Sequence, residues 1–140
     1  MISELGEQQS RELLGAGRLG RLGCCLNGKP YVVPVYYLLE GDFIYIHSLP
    51  GRKIDMLRAN PDACLQVDEI KNDYHWSSVI AFGRYEEITA DQERERVLAA
   101  LFAHLPQLTP VEAKMTKDAP PSVVFRLYIT SITGVFERFP

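Results

Sequence analysis

The chain has 140 residues, 46% of them hydrophobic and 24% charged, and its 15 Lys and Arg against 18 Asp and Glu leave a net charge of −3. That length fits one domain over residues 1–140, and the composition excludes a disordered or collagen-like chain. The acidic excess points away from general affinity for nucleic acid or an anionic membrane. In chain order, residues 3–15 read as a short helix with Ser3 as N-cap and Gly15 and Gly17 at its end. Residues 18–39 read as a hairpin around Asn27-Gly28, the pair that suits a type I′ turn. Glu40-Gly41-Asp42 turns the chain into a third strand, Phe43 to His47, completing an antiparallel meander. Between Leu49 and Pro61 the spacing becomes helical, and the helix must stop near Asn60, which precedes a proline.

Alternation resumes at Ala63, Leu65 and Val67 for a fourth strand, and residues 75–88 form a long fifth strand with Trp76, Ile80 and Phe82 on one face. Thr89 and Gln92 form a capping box ahead of an apolar helical stripe, Val97, Leu98, Leu101, Phe102 and Leu105. Thr109-Pro110-Val111-Glu112 repeats that helix-start logic. After Ala119-Pro120-Pro121, the residues Val123, Phe125, Leu127 and Ile129 alternate in a last strand running toward Phe136. The expected fold is α+β, a small barrel of about six antiparallel strands with helices confined to the connections.

Targeting and covalent staples contribute little. The polar, amphipathic start MISELGEQQSRELL is not a secretory signal, and the longest uncharged apolar run, residues 31–39, is too short to span a bilayer. Cys24 and Cys25 are adjacent and Cys64 stands alone, so neither a disulfide framework nor a zinc site is expected. The expected setting is the cytoplasm, with no bound metal.

Three stretches break local rules. In His47-Ser48-Leu49-Pro50-Gly51-Arg52-Lys53, a strand hands over to a helix, and two cations stand where the helix dipole favours acids. The mismatch costs about 0.3–1 kcal/mol per residue at an exposed start, and a bound anion removes it. Ser48 adds a hydroxyl and Gly51 an unhindered approach, so a phosphate site is one reading; two cations extended into water is the other. Pro34 interrupts a strongly apolar strand, which places it near the core and leaves main-chain groups of Val33, Val35 and Tyr36 available to a planar heterocycle or to a simple bulge. Trp76, followed by Ser77 and Ser78, either stacks on a ring or packs in the core. Of the histidines, His47 directly precedes the proposed phosphate site, whereas His75 and His104 carry little signal. The carboxylate clusters read as solvated faces, and no catalytic triad is legible.

Taken in succession, GRLGRLGCCLNGKPYVVPVYY, FIYIHSLPGRKIDMLRANPDACLQVDE and HWSSVIAFGRYEEI resemble the pyridoxamine 5′-phosphate oxidase-related FMN-binding split-barrel family over residues 17–88. The likeness is greater to its short, nitroimidazole-reductase-like members. The resemblance implies a six-stranded split barrel, a homodimer, and FMN in the cleft between subunits. It implies that Arg52 and Lys53 hold the FMN phosphate with help from Ser48. The main chain of Val33, Pro34, Val35 and Tyr36 would then border the pyrimidine edge of the flavin. His47 would lie near the ring or phosphate and act as the catalytic candidate. Trp76 would approach the partner's flavin, and Ser78 matches the position where the larger oxidases place a flavin-contacting glutamine. Those oxidases also carry an Arg-x-His substrate motif near the C-terminus, which residues 133–140 lack, so pyridoxamine phosphate is disfavoured, while His47 matches an active-site histidine of the nitroimidazole-reductase-like members, which the resemblance takes to favour a nitro-aromatic or similar planar acceptor. The expected function is an FMN-dependent oxidoreductase. The alternative is a non-catalytic module carrying flavin, deazaflavin or haem; an oligonucleotide-binding barrel fits the acidic balance less well.

Overall fold

The structure is a computed structural model that describes residues 1–105 and 122–139. Its elements run β1 (Ile2–Glu4), α1 (Glu7–Ala16), β2 (Leu19–Leu26), β3 (Lys29–Tyr36), β4 (Leu38–Glu40), β5 (Phe43–Ser48), α2 (Arg52–Ala59), β6 (Asp62–Asn72), β7 (His75–Glu87), α3 (Asp91–His104) and β8 (Val123–Arg138). All eight strands join one antiparallel sheet in the order β3-β2-β6-β7-β8-β5-β4, with β1 paired to the end of β8. Strands β3 and β4 end that order, yet Val35 of β3 and Ile44 and Ile46 of β5 share one core. The sheet therefore curls on itself without a ladder across the seam, and the fold is an α+β split barrel. Two strands exceed the six expected from sequence. They are β1 and β4, each of three residues and too short to show alternation.

Local chemistry accounts for most of the boundaries. Asn27 and Gly28 both take positive φ, 53° and 75°, as a type I′ turn requires, and Leu26 faces Lys29 across it. Helix α2 stops at Asn60, whose side-chain amide donates to the Cys25 carbonyl at 2.8 Å and so ties the helix end to β2. The capping expectations fail. Ser3 lies in β1 opposite Phe136, and α1 starts after Gly6 without a side-chain cap. Helix α3 starts after Ala90, again without a side-chain cap, and Asp91 and Glu93 in its first turn complement the dipole instead of Thr89 and Gln92. Pro34 is exposed on the end strand β3, opposite Arg21, rather than near the core; Val33 and Val35, its neighbours, are the residues that turn inward. The helix start expected at residues 109–112 and the prolines at 120–121 lie outside the described residues.

The main core gathers Leu22, Ile44, Ile46, Leu65, Val79, Phe125 and Leu127 with Ile54, Met56 and Leu57 of α2. A second cluster, Tyr45, Ile88 and Val124 with Val97 and Leu101 of α3, lies on the other face of β5 and β8. Trp76, Ile80 and Phe82 do share one face of β7, but it is the outer one; Val79 and Ala81 point into the core. Among the described residues, no helix is long and apolar enough to cross a membrane.

A bulge sets the curvature. Phe82 pairs with Ser131 and Gly83 with Ile129, so Thr130 is an extra residue in β8, and its hydroxyl donates to the Phe82 carbonyl at 3.2 Å. A Cβ on Gly83 would stand 2.5 Å from the Tyr128 carbonyl oxygen, which rigid sheet backbone cannot yield. Gly83→Ala is expected to destabilise by about 1–3 kcal/mol in urea unfolding. Gly15→Ala places its methyl 3.5 Å from Leu39 inside α1 and is expected to stabilise by about 0.5–1 kcal/mol in the same measurement.

Candidate functional site

Helix α2 presents the paired cations. Its first residue follows Gly51, where an added Cβ would meet no atom within 4 Å, so the helix N-terminus is openly approached. The Arg52 guanidinium sits 5.9 Å from the centre of the Tyr31 ring of β3. Lys53 is half-buried against β2, close enough to Cys24 for their charges to interact, and burial pushes its ammonium below the ordinary lysine value. Neither residue has a carboxylate partner among the described residues, whereas Arg21, Arg58 and Arg84 each have one and Arg126 has two. A half-buried ammonium with no acid to neutralise it is stabilised by an anion. Ser48 does not complete this cradle within one chain. It is 3% exposed, and its hydroxyl donates to the Leu49 carbonyl at 2.8 Å.

Val33 and Val35 point toward the core, while Pro34 and Tyr36 are exposed. Because β3 pairs only with β2 among the described strands, alternate main-chain groups along residues 33–36 face no neighbouring strand. That open edge is available to a ligand with amide-like groups.

His47 belongs elsewhere. Alternation along β5 puts Ile46 and Ser48 toward the main core and Tyr45 and His47 toward α3. Its ring meets Phe102 edge-on at 5.6 Å and 78°, and neither ring nitrogen has a hydrogen-bond partner among the described residues. Burial, helped by the nearby Arg94 charge, pushes its pKa down to about 4. At neutral pH the ring is therefore uncharged, with one N–H and one lone pair uncommitted.

Trp76 and Ser78 lie on the outer face of β7. The Trp76 indole donates to Glu137 at 3.0 Å, and the Ser78 hydroxyl receives the Gln66 amide at 3.0 Å. Around them the face is apolar, with Val32 67% and Phe82 40% exposed. An open groove of about 360 Å³, lined by Cys25, Tyr31, Val32, Cys64 and Phe82 among others, runs across it. One chain thus brings Arg52 and Lys53 to the β2–β3 end and sets His47 and the Trp76–Ser78 pair apart on other faces. Sequence reasoning missed Tyr31, Arg21, Gln66 and Asp68. For Arg21, Gln66 and Asp68 the available signal was polar residues at alternate positions of otherwise apolar strands. Among the described residues no group of three or more His, Cys, Asp or Glu gathers as a metal site.

A family model described as pyridoxamine 5′-phosphate oxidase matches residues 6–135. An uncharacterized protein of Rhizobium meliloti (strain 1021) is 39% identical over 100 residues, which is 70% of this chain and 66% of that protein, so the match spans slightly under two thirds of the relative. The crystal structure of a FAD-binding protein from Mesorhizobium loti superposes with a TM-score of 0.81 at 33% identity, covering 99% of this chain and 98% of the other. A Bacteroides thetaiotaomicron protein provisionally assigned to 5-nitroimidazole antibiotic resistance shares the fold, with a TM-score of 0.75 at 24% identity over 97% of this chain and 88% of its own.

The burial of the His47 ring nitrogens bears on acid stability. The unfolded chain takes up a proton near pH 6.5, while the folded chain resists it until about pH 4. The contribution is therefore fully present above pH 6.5 and is lost as pH falls toward 4, by roughly 3 kcal/mol. His47→Phe, which keeps a ring against Phe102 but cannot titrate, is expected to flatten unfolding free energy against pH across that window. A curve of unchanged slope would refute the assignment.

Proposed function

The chain belongs to the pyridoxamine 5′-phosphate oxidase family, and from that premise we propose that it is an FMN-binding oxidoreductase that works as a homodimer on a small planar acceptor. The observation that carries the reading is the half-buried Lys53, lowered by burial and without an acidic partner among the described residues, beside Arg52 at an open helix start. These two residues would hold the cofactor phosphate by charge-assisted hydrogen bonds. The open edge of β3 at Val33, Pro34, Val35 and Tyr36 would receive the polar rim of the ring. Bound flavin would supply hydride or electron transfer.

A second copy accounts for what one chain leaves apart. The exposed apolar face of Val32, Phe82 and Val135 is the kind of surface a subunit covers, and it carries Trp76 and Ser78. Covering it would bring those two residues to the partner's cofactor and exclude water from the groove. FAD is a second reading, supported by the Mesorhizobium loti relative being a FAD-binding protein; the FMN half of FAD would engage Arg52 and Lys53 in the same way. A nitro-aromatic compound is the proposed acceptor class. His47 is the candidate acid–base group, because its neutral ring has a donor and a lone pair uncommitted.

The phosphate assignment is tested by titrating the protein with FMN and with riboflavin. Arg52→Ala/Lys53→Ala is expected to weaken FMN by about a hundredfold and riboflavin by less than about threefold, since only FMN carries the phosphate charge. Equal losses would refute it, and a wild-type protein that takes up no flavin would overturn the reading as a whole. For the acceptor, FMN-loaded protein reduced with dithionite is mixed with a nitroimidazole, and His47→Ala is expected to lower turnover at least tenfold. Unchanged turnover removes His47 from the chemistry.

A further inference from the structure

The outer face of the sheet carries two thiols that the flavin reading does not use. Cys25 and Cys64 are free and half-buried, and both line the groove of about 360 Å³. The register puts them there together. Gly23 pairs with Cys64 and Cys24 with Ala63, so alternation turns Gly23, Cys25 and Cys64 outward and sends Cys24 into the core. Gly23 makes the room between them. A Cβ on it would stand 2.8 Å from the Cys64 sulfur, so that sulfur hangs over β2 in the space a side chain would fill. Cys25 follows two residues further along the same strand, about 6.5 Å away.

That spacing decides what the pair can do. Diagonal neighbours on antiparallel strands have Cα atoms about 7–8 Å apart. A disulfide needs them within about 7 Å, so the sheet works against direct closure. A metal ion between the sulfurs adds two bonds of about 2.3 Å, and rotation about χ1 can supply that wider span without moving the strands. The surroundings select the ion. Pro30, Val32 and Phe82 wall the groove with apolar side chains, and Asp62 at its edge is engaged by Arg84 at 3.3 Å. Among the described residues no third His, Cys, Asp or Glu joins the pair. Zinc, calcium and magnesium sites are completed by four or more ligands, whereas paired thiolates suit a soft ion of low coordination number.

We propose that Cys25 and Cys64 form a two-thiolate binding site for a soft monovalent cation of the copper(I) class, held across β2 and β6. Each thiol releases its proton as the ion binds, which leaves a bis-thiolate complex with one negative charge and no change of oxidation state. The site uses none of the residues assigned to the flavin, so it stands whether or not flavin binds. Cys25 lies two residues before the Asn27-Gly28 turn, which sets the site at the hairpin end of the groove.

The test equilibrates the reduced full-length protein with copper(I) bicinchoninate under argon and reads copper transfer from the loss of the coloured complex. Wild type is expected to take up one ion per chain. Cys25→Ser and Cys64→Ser are each expected to lose about a hundredfold or more in affinity, and Cys24→Ala less than about threefold. Gly23→Ala keeps all three thiols but displaces the Cys64 sulfur, and is expected to cost about tenfold, the mark of a built site. Should Gly23→Ala fail to fold, the two serine variants carry the test. Equimolar zinc is expected to leave the copper in place. Wild-type affinity in either serine variant overturns the proposal, as does displacement by equimolar zinc. Native mass spectrometry showing each ion shared between two chains also overturns it.

Discussion

Strand β8 carries three pairings at once. It runs beside β7 for nearly its whole length, while its other edge is shared, residues 123–128 going to β5 and residues 135–137 to β1. A regular strand that long would keep one set of side chains inward throughout. Here Val123, Phe125, Leu127 and Ile129 face the core before the extra Thr130, and Ile132 and Gly134 face inward after it. The inversion keeps Ser131 and Thr133 outside and apolar residues inside as the sheet bends. The close approach of Gly83 to Tyr128 is the condition for that bend. The bulge at Thr130 thus keeps apolar residues of β8 inside on both sides of the bend, while β3 and β5 contribute to one core.

The same alternation distributes the chemistry. On β5, successive residues must point to opposite faces, so Ser48 is enclosed with the main core while His47 lies beneath α3. Helix α2 docks Ile54, Met56 and Leu57 into the barrel and thereby holds Lys53 against β2. Adjacent residues in the chain become separated in space, and residues 21 positions apart, Arg52 and Tyr31, become neighbours in space.

Desolvation acts on two basic groups with different outcomes. Burial lowers both Lys53 and His47. His47, with an ordinary value of 6.5, is left neutral at pH 7 and costs little in an apolar setting. A lysine starts far higher, and burial lowers the half-buried Lys53 from there, with the Cys24 thiol pulling the other way. Arg21 and Asp68 represent a third solution, a charge balanced within the chain, with the Gln66 amide also donating to the Asp68 carboxylate.

The family, the fold class and the element order were legible in the sequence because they rest on local signals. Asn27-Gly28 dictates its turn, the proline after Asn60 ends α2, and the period-two and helical spacings mark the longer elements. The helix start at Arg52 and Lys53 was legible too, since the change to helical spacing after Gly51 is a local signal. The short strands β1 and β4, the outward face of Trp76, the exposure of Pro34 and the burial of His47 were not. Each depends on which strand lies alongside and which helix covers the sheet, and a residue's own neighbours in the chain do not encode that. Alternation tells which side chains share a face; only the curled sheet and the helices packed on it decide which of the two faces is inside.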